Sequence, residues 1–132
     1  MTLMAQDRPL PTPPVYPDNA EFWAAANEGR LLVPKCGSCG KTHWYPRPFC
    51  PHCHSDDVSW IQASGKGTIY SVSPTRRVPV PYAIAYVTLD EGTTMLTNIV
   101  DTDLDQVKIG DKVQVVFKAT EGGQKVPMFR PA

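Results

Sequence analysis

KCGSCGKTHWYPRPFCPHCHSDD, residues 35–57, holds every cysteine of the chain as two CxxC pairs, Cys36/Cys39 and Cys50/Cys53, with ten residues between them. A CxxC turn brings two sulfurs to one side of an ion, and two such turns complete a tetrahedral thiolate shell about 2.3 Å from Zn2+. Ten intervening residues let the chain run out and back, the construction of a zinc ribbon or rubredoxin-like knuckle pair. Gly37 and Gly40 flank the first knuckle, where the backbone turns tightly toward the sulfurs, and Pro51 sits inside the second. Duplication of the pair argues against a dithiol redox motif. Iron would use the same four sulfurs and the spacing does not separate it from zinc; zinc is expected because the chain has no other redox feature. Cys36, Cys39, Cys50 and Cys53 are therefore the expected metal ligands. Four thiolates leave no coordination position for water or substrate, so the metal is expected to be structural. His43, His52 and His54 lie in or beside this segment and are read as surface groups or hydrogen-bond donors around the metal rather than ligands.

Upstream, residues 1–17 contain five prolines and too few apolar residues for a core strand, which predicts an extended arm. Asp18 is the candidate N-cap of a short helix, with Glu21 three residues later and Gly29 as its stop. That helix is too short to stand alone, and Phe22 and Trp23 give it an aromatic surface that something must cover. They are candidate anchors for a partner, with packing inside the chain as the alternative. Residues 30–35 and 59–61 read as short strands entering and leaving the cysteine segment.

Downstream, the pattern changes to short runs rich in β-branched and aromatic residues: 67–73, 82–89, 94–100 and 112–118. Asp90-Glu91-Gly92 and Ile109-Gly110-Asp111 are tight-turn signals between them. Residues 125–131 are read either as an edge strand or as a peripheral tail. Roughly five strands in this length suit an OB-like barrel, with an SH3-like barrel as the alternative. The expected fold is mainly β: an arm and docking helix over residues 1–30, a rubredoxin-like zinc ribbon over 31–61, and a five-stranded OB-fold barrel over 62–132.

Thirteen Lys plus Arg balance thirteen Asp plus Glu over 132 residues, so no net field steers the chain to phosphate backbones or anionic lipid. No apolar run reaches the roughly twenty residues of a membrane span, and the N-terminus lacks the apolar core of a secretion signal. A cytoplasmic protein with neither nucleic acid nor membrane as partner is expected. The barrel segment has no histidine, and its carboxylates cluster at turns, so no catalytic apparatus of its own is expected. Arg76 and Arg77, in a proline-flanked loop, are the local cationic pair suited to an anionic ligand.

The order of parts is itself a signature: NAEFWAAANEGRLLVPKC, then WYPRPFCPHC, GKGTIYSVS, PYAIAYVTLDEG, IGDKVQVVF and VPMFRP. From about Pro17 to Pro131 it resembles the DUF35 family, zinc-ribbon plus OB-fold proteins that accompany thiolase-superfamily enzymes acting on acyl-CoA. The resemblance implies a non-catalytic subunit in a hetero-oligomer with a thiolase, a synthase or a lipid-transfer-protein-like aldolase. It also implies structural Zn2+ on the four cysteines and a CoA ester bound together with the partner; Arg76 and Arg77 are candidate contacts for its phosphates by their charge, since the short loop from Arg76 to Pro81 departs from the family there. Two rival readings rest on the fold and the cationic pair: a single-stranded nucleic-acid binder, which the balanced charge disfavours, and an independent acyl-CoA-binding module.

Overall fold

A computed structural model describes residues 9–132. Helix α1, Ala20–Asn27, is followed by a two-stranded antiparallel sheet of β1, Leu32–Cys36, and β2, Val58–Gln62. Five further strands follow: β3 (Lys66–Thr75), β4 (Tyr82–Leu89), β5 (Thr94–Ile99), β6 (Lys112–Ala119) and β7 (Lys125–Pro131). They close in the order β3-β4-β5-β7-β6, the Greek-key order of an OB-fold. The fold class is the one expected, with the SH3-like alternative set aside.

Alternation builds the barrel most plainly along β4 and β5. Along β4, Ala83, Ala85, Val87 and Leu89 point inward and are buried, and along β5 Met95, Thr97 and Ile99 do the same. Gly92 at φ 104° and Gly110 at φ 93° turn the chain where the sequence predicted, in a conformation that a β-carbon disfavours. Leu104, in a single 3₁₀ turn over Leu104–Gln106 between β5 and β6, adds its buried side chain to the core.

The segment at 125–131 is not a tail. As β7 it pairs with β6 along seven residues, from Val113 opposite Pro131 to Ala119 opposite Lys125, and meets β5 in parallel at Ile99 and Phe129. Phe129 is 0 % exposed, so this strand both closes the barrel and fills it.

Helix α1 begins one residue later than the sequence suggested. Asn19, not Asp18, occupies the N-cap, and its side chain does not cap the helix. Its Oδ1 accepts from the Tyr16 backbone N–H and its Nδ2 donates to the Tyr45 hydroxyl, so it ties the arm to the cysteine segment. Polar side chains hold the other end of the helix to the barrel: Gln124 Nε2 donates to the Trp23 carbonyl, and the Lys125 N–H donates to Asn27 Oδ1. Phe22, Leu31, Val33 and Ala63 pack in one continuous core with the barrel interior. The small sheet is held to the β4–β5 turn as well, where Thr42 Oγ1 donates to the Glu91 carbonyl and the Ser64 N–H to Glu91 Oε2. No described helix is long and apolar enough to cross a membrane.

Candidate metal centre and barrel face

The β1–β2 ladder runs in full register from Leu32 opposite Gln62 to Cys36 opposite Val58, which delivers Cys36 to the end of the sheet. The two knuckles then repeat one design. In the first, the Ser38 and Cys39 N–H groups point at Cys36 Sγ, at 3.3 and 3.4 Å, and the Gly40 N–H closes the turn onto the Cys36 carbonyl. In the second, the His52 N–H points at Cys50 Sγ at 3.3 Å, and the His54 N–H closes onto the Cys50 carbonyl. The closing residue is left-handed in both, Gly40 at φ 76° and His54 at φ 65°, so a histidine stands where the first knuckle has glycine. At Gly37 a β-carbon would meet the exposed Asp57 carboxylate, which would have to move aside.

The four sulfurs lie within 4.8 Å of one another, with Cys36 to Cys53 at 3.5 Å and Cys39 to Cys50 at 3.7 Å. Four thiolates about 2.3 Å from one tetrahedral ion would sit roughly 3.8 Å apart, so the set has the dimensions of a Zn-thiolate site. Its electrostatics suit a cation. The Cys39 N–H, opposed by burial and helped by the Ser38 N–H, lowers the Cys36 thiol to about 6. At Cys53 the Ser55 N–H lowers the thiol, but interaction with Cys36 and burial outweigh it and raise it to about 11. Four sulfurs packed this closely resist collecting four negative charges by themselves; a divalent ion removes that conflict. Among the described residues this is the one cluster of potential metal ligands.

None of the three histidines belongs to it. His52 and His54 are exposed. His43 is 3 % exposed, and neither ring nitrogen has a hydrogen-bond partner. Burial first, then the nearby His52 and Arg47 charges, lowers its pKa below the ordinary 6.5.

The other expected site residues fall elsewhere. Phe22 is not a surface anchor: at 1 % exposure its ring lies 4.8 Å from both Trp23 and Trp44, covered by its own chain. Trp23 is half-buried on the same core. Arg76 pairs with Asp105 beside the 3₁₀ turn, and Arg77 is exposed.

A feature the sequence reading missed lies on the outer wall of β3, β4 and β5. Ser71, Tyr86 and Leu96 form one cross-strand row, with Ser73, Ile84 and Asn98 in the next. Between Ile69 and Ser71 a bulge leaves Tyr70 without a partner on β4, 69 % exposed. Ile84, Tyr86 and Leu96 are 42, 48 and 53 % exposed. They edge an open groove of about 210 Å³, lined also by Ser71, Val72, Ser73 and Ala85, with no ionisable group except the Tyr86 hydroxyl. The signal was present in YAIAYVTL, where both alternating sets are apolar although a barrel buries only one.

Comparison with known proteins supports both halves. Residues 23–59 match the family model described as the ChsH2 rubredoxin-like zinc ribbon domain, and residues 60–118 match the ChsH2 C-terminal OB-fold domain. A DUF35 domain-containing scaffold protein of Methanothermobacter thermautotrophicus is 39 % identical over 102 residues, 71 % of this chain and 77 % of that protein. A probable enoyl-CoA hydratase alpha subunit of Thermomonospora curvata is 35 % identical over 127 residues; they cover 92 % of this chain but 40 % of that relative's length. A chain of the solved Ltp2-ChsH2(DUF35) aldolase superposes with a TM-score of 0.82 at 34 % identity, over 91 % of this chain and 98 % of that one.

Proposed function

The chain belongs to the DUF35 family, and from that premise we propose that it is a non-catalytic, zinc-bearing subunit of an acyl-CoA-processing complex. Its partner in this reading is a thiolase-superfamily enzyme, a thiolase or a lipid-transfer-protein-like aldolase, which carries the catalytic residues. The observation that carries the reading is the likeness, over nearly its whole length, to a chain of an aldolase complex. Relatives described as scaffold proteins fit a non-catalytic subunit, and those described as hydratase alpha subunits fit acyl-CoA chemistry in a multisubunit enzyme.

In this reading Cys36, Cys39, Cys50 and Cys53 hold Zn2+. The ion supplies cross-linking rather than Lewis-acid chemistry, because four thiolates complete its shell. Its role is to fix the loop that carries Trp44 and Tyr45 against α1. Arg76 and Arg77 are the cations offered to a CoA ester bound jointly with the partner.

Co-expression with a candidate thiolase-superfamily subunit from the same source tests the reading. The two should elute as one complex with about one zinc per copy of this chain, and leaving this chain out should lower the partner's activity. Separate elution, with partner activity the same in its absence, would overturn it.

A further inference from the structure

We propose that the outer wall of β3, β4 and β5, centred on Tyr86 and Leu96 and edged by Tyr70 and Ile84, is the face that seats the enzyme partner. The inference deepens the proposed function and rests on it. It also moves the contact away from α1, where Phe22 is already covered by Trp23 and Trp44.

Size is the first argument. With side chains of roughly 200 Å² each, the four exposed fractions amount to an apolar patch on the order of 400 Å², within the range of the largest and often functional patches on monomeric proteins. A standard interface buries about 800 Å² per partner and is a little more than half apolar. The patch thus supplies the apolar share of one standard interface, with the serines and threonines around it as a polar rim.

Shape is the second. The groove of about 210 Å³ is below the roughly 300–1,000 Å³ of small-molecule sites, so it takes one protruding side chain rather than a CoA ester. An enzyme surface with one projecting apolar side chain fills the groove and covers the apolar patch around it. The bulge at Tyr70 sets an aromatic knob beside the groove, which gives the contact a socket and a peg on the same strand.

Charge is the third. With no Lys, Arg, Asp or Glu lining the groove, the partner that fits presents an uncharged apolar surface. Association through this face is governed by burial and is nearly indifferent to salt, unlike docking through Arg76 and Arg77.

The test uses the full chain, zinc-loaded, with the co-expressed thiolase-superfamily subunit. Leu96→Glu and Tyr86→Lys put a charge on the face, and Leu96→Thr and Tyr86→Thr keep strand propensity while removing apolar area. Zinc content and thermal melting of each free variant report whether it is folded. The expected result is a Kd raised about thirtyfold or more by the charged variants and less by the threonines, with the wild-type Kd changing little between low and high salt. Wild-type affinity in folded charged variants would overturn the proposal. So would a wild-type chain that is dimeric alone and monomeric as Leu96→Glu, since a second copy would then own the face. Failure of the wild-type pair to associate would remove the functional reading itself, an outcome the variants cannot mimic.

Discussion

From Leu31 to Cys50 the cysteine segment buries Leu31, Leu32, Val33, Pro34, Pro46, His43 and two of its cysteines, and from Pro51 to Gln62 it buries nothing fully. The barrel, from Lys66 onward, buries Ile69, Val87, Leu89, Ile99, Val113 and Phe129 in a closed interior. One region collects too little apolar surface to order its second knuckle and substitutes four sulfurs. The other orders itself by exclusion of water. The contrast teaches that the two halves fail under different insults, although α1 and the Glu91 turn fasten them together.

The sharpest way to break that contrast is to remove the ion. Structural zinc sites contribute on the order of 10 kcal/mol or more, so Cys39→Ser or chelation should abolish amide protection across residues 36–58. Exchange measured by mass spectrometry should still find β4, β5 and β6 protected; equal loss in both halves would mean that the barrel depends on the metal too. Next in size, Phe129→Ala should cost the barrel about 3–5 kcal/mol in urea denaturation, with zinc stoichiometry retained by the protein that remains folded. His54→Gly should stabilise by about 1 kcal/mol, because the second knuckle then gains the residue that the first already has at the same left-handed position. An unchanged melting midpoint would show that His54 makes a compensating contact.

The smallest effect concerns protons. His43 has a lowered pKa in the fold and about 6.5 when unfolded, so above 6.5 it is neutral in both states and contributes no pH dependence. As pH falls below 6.5 the unfolded chain takes up the proton first, and stability declines until the folded pKa is reached. His43→Phe keeps an aromatic ring and removes the proton, so its stability between pH 7 and pH 5.5 should fall less steeply than that of the wild type, at equal zinc content.

What could be read from residues alone follows the range of the forces involved. The knuckles, the Gly92 and Gly110 turns and the span of β4 were legible because each is set by neighbours in the chain. The role of residues 125–131 was not, since β7 is defined by partners on β5 and β6 and its own residues read equally well as a loose end. The N-cap was misplaced for a related reason. Asn19 is held by Tyr45, twenty-six residues away, and the local Asp18/Glu21 pattern carried no trace of that bond. Phe22 reads equally well as an anchor or as internal packing, because Trp44, which covers it, lies beyond the first knuckle. The apolar wall is visible in YAIAYVTL, whose residues identify a strand but not which partners leave its outer set uncovered.

One consequence of β7 concerns the timing of synthesis. The ribbon is complete in sequence once β2 ends at Gln62, whereas the barrel waits for a strand that ends at Pro131. At about 5–20 residues per second a nascent chain spends seconds in between. During that interval the cysteines can already capture their ion, while the inner faces of β3, β4 and β5 stand open without the strand that will close over them. The order of the chain thus lets metal loading precede barrel closure, and a chaperone acting in that interval would meet a ribbon trailing an unsealed sheet.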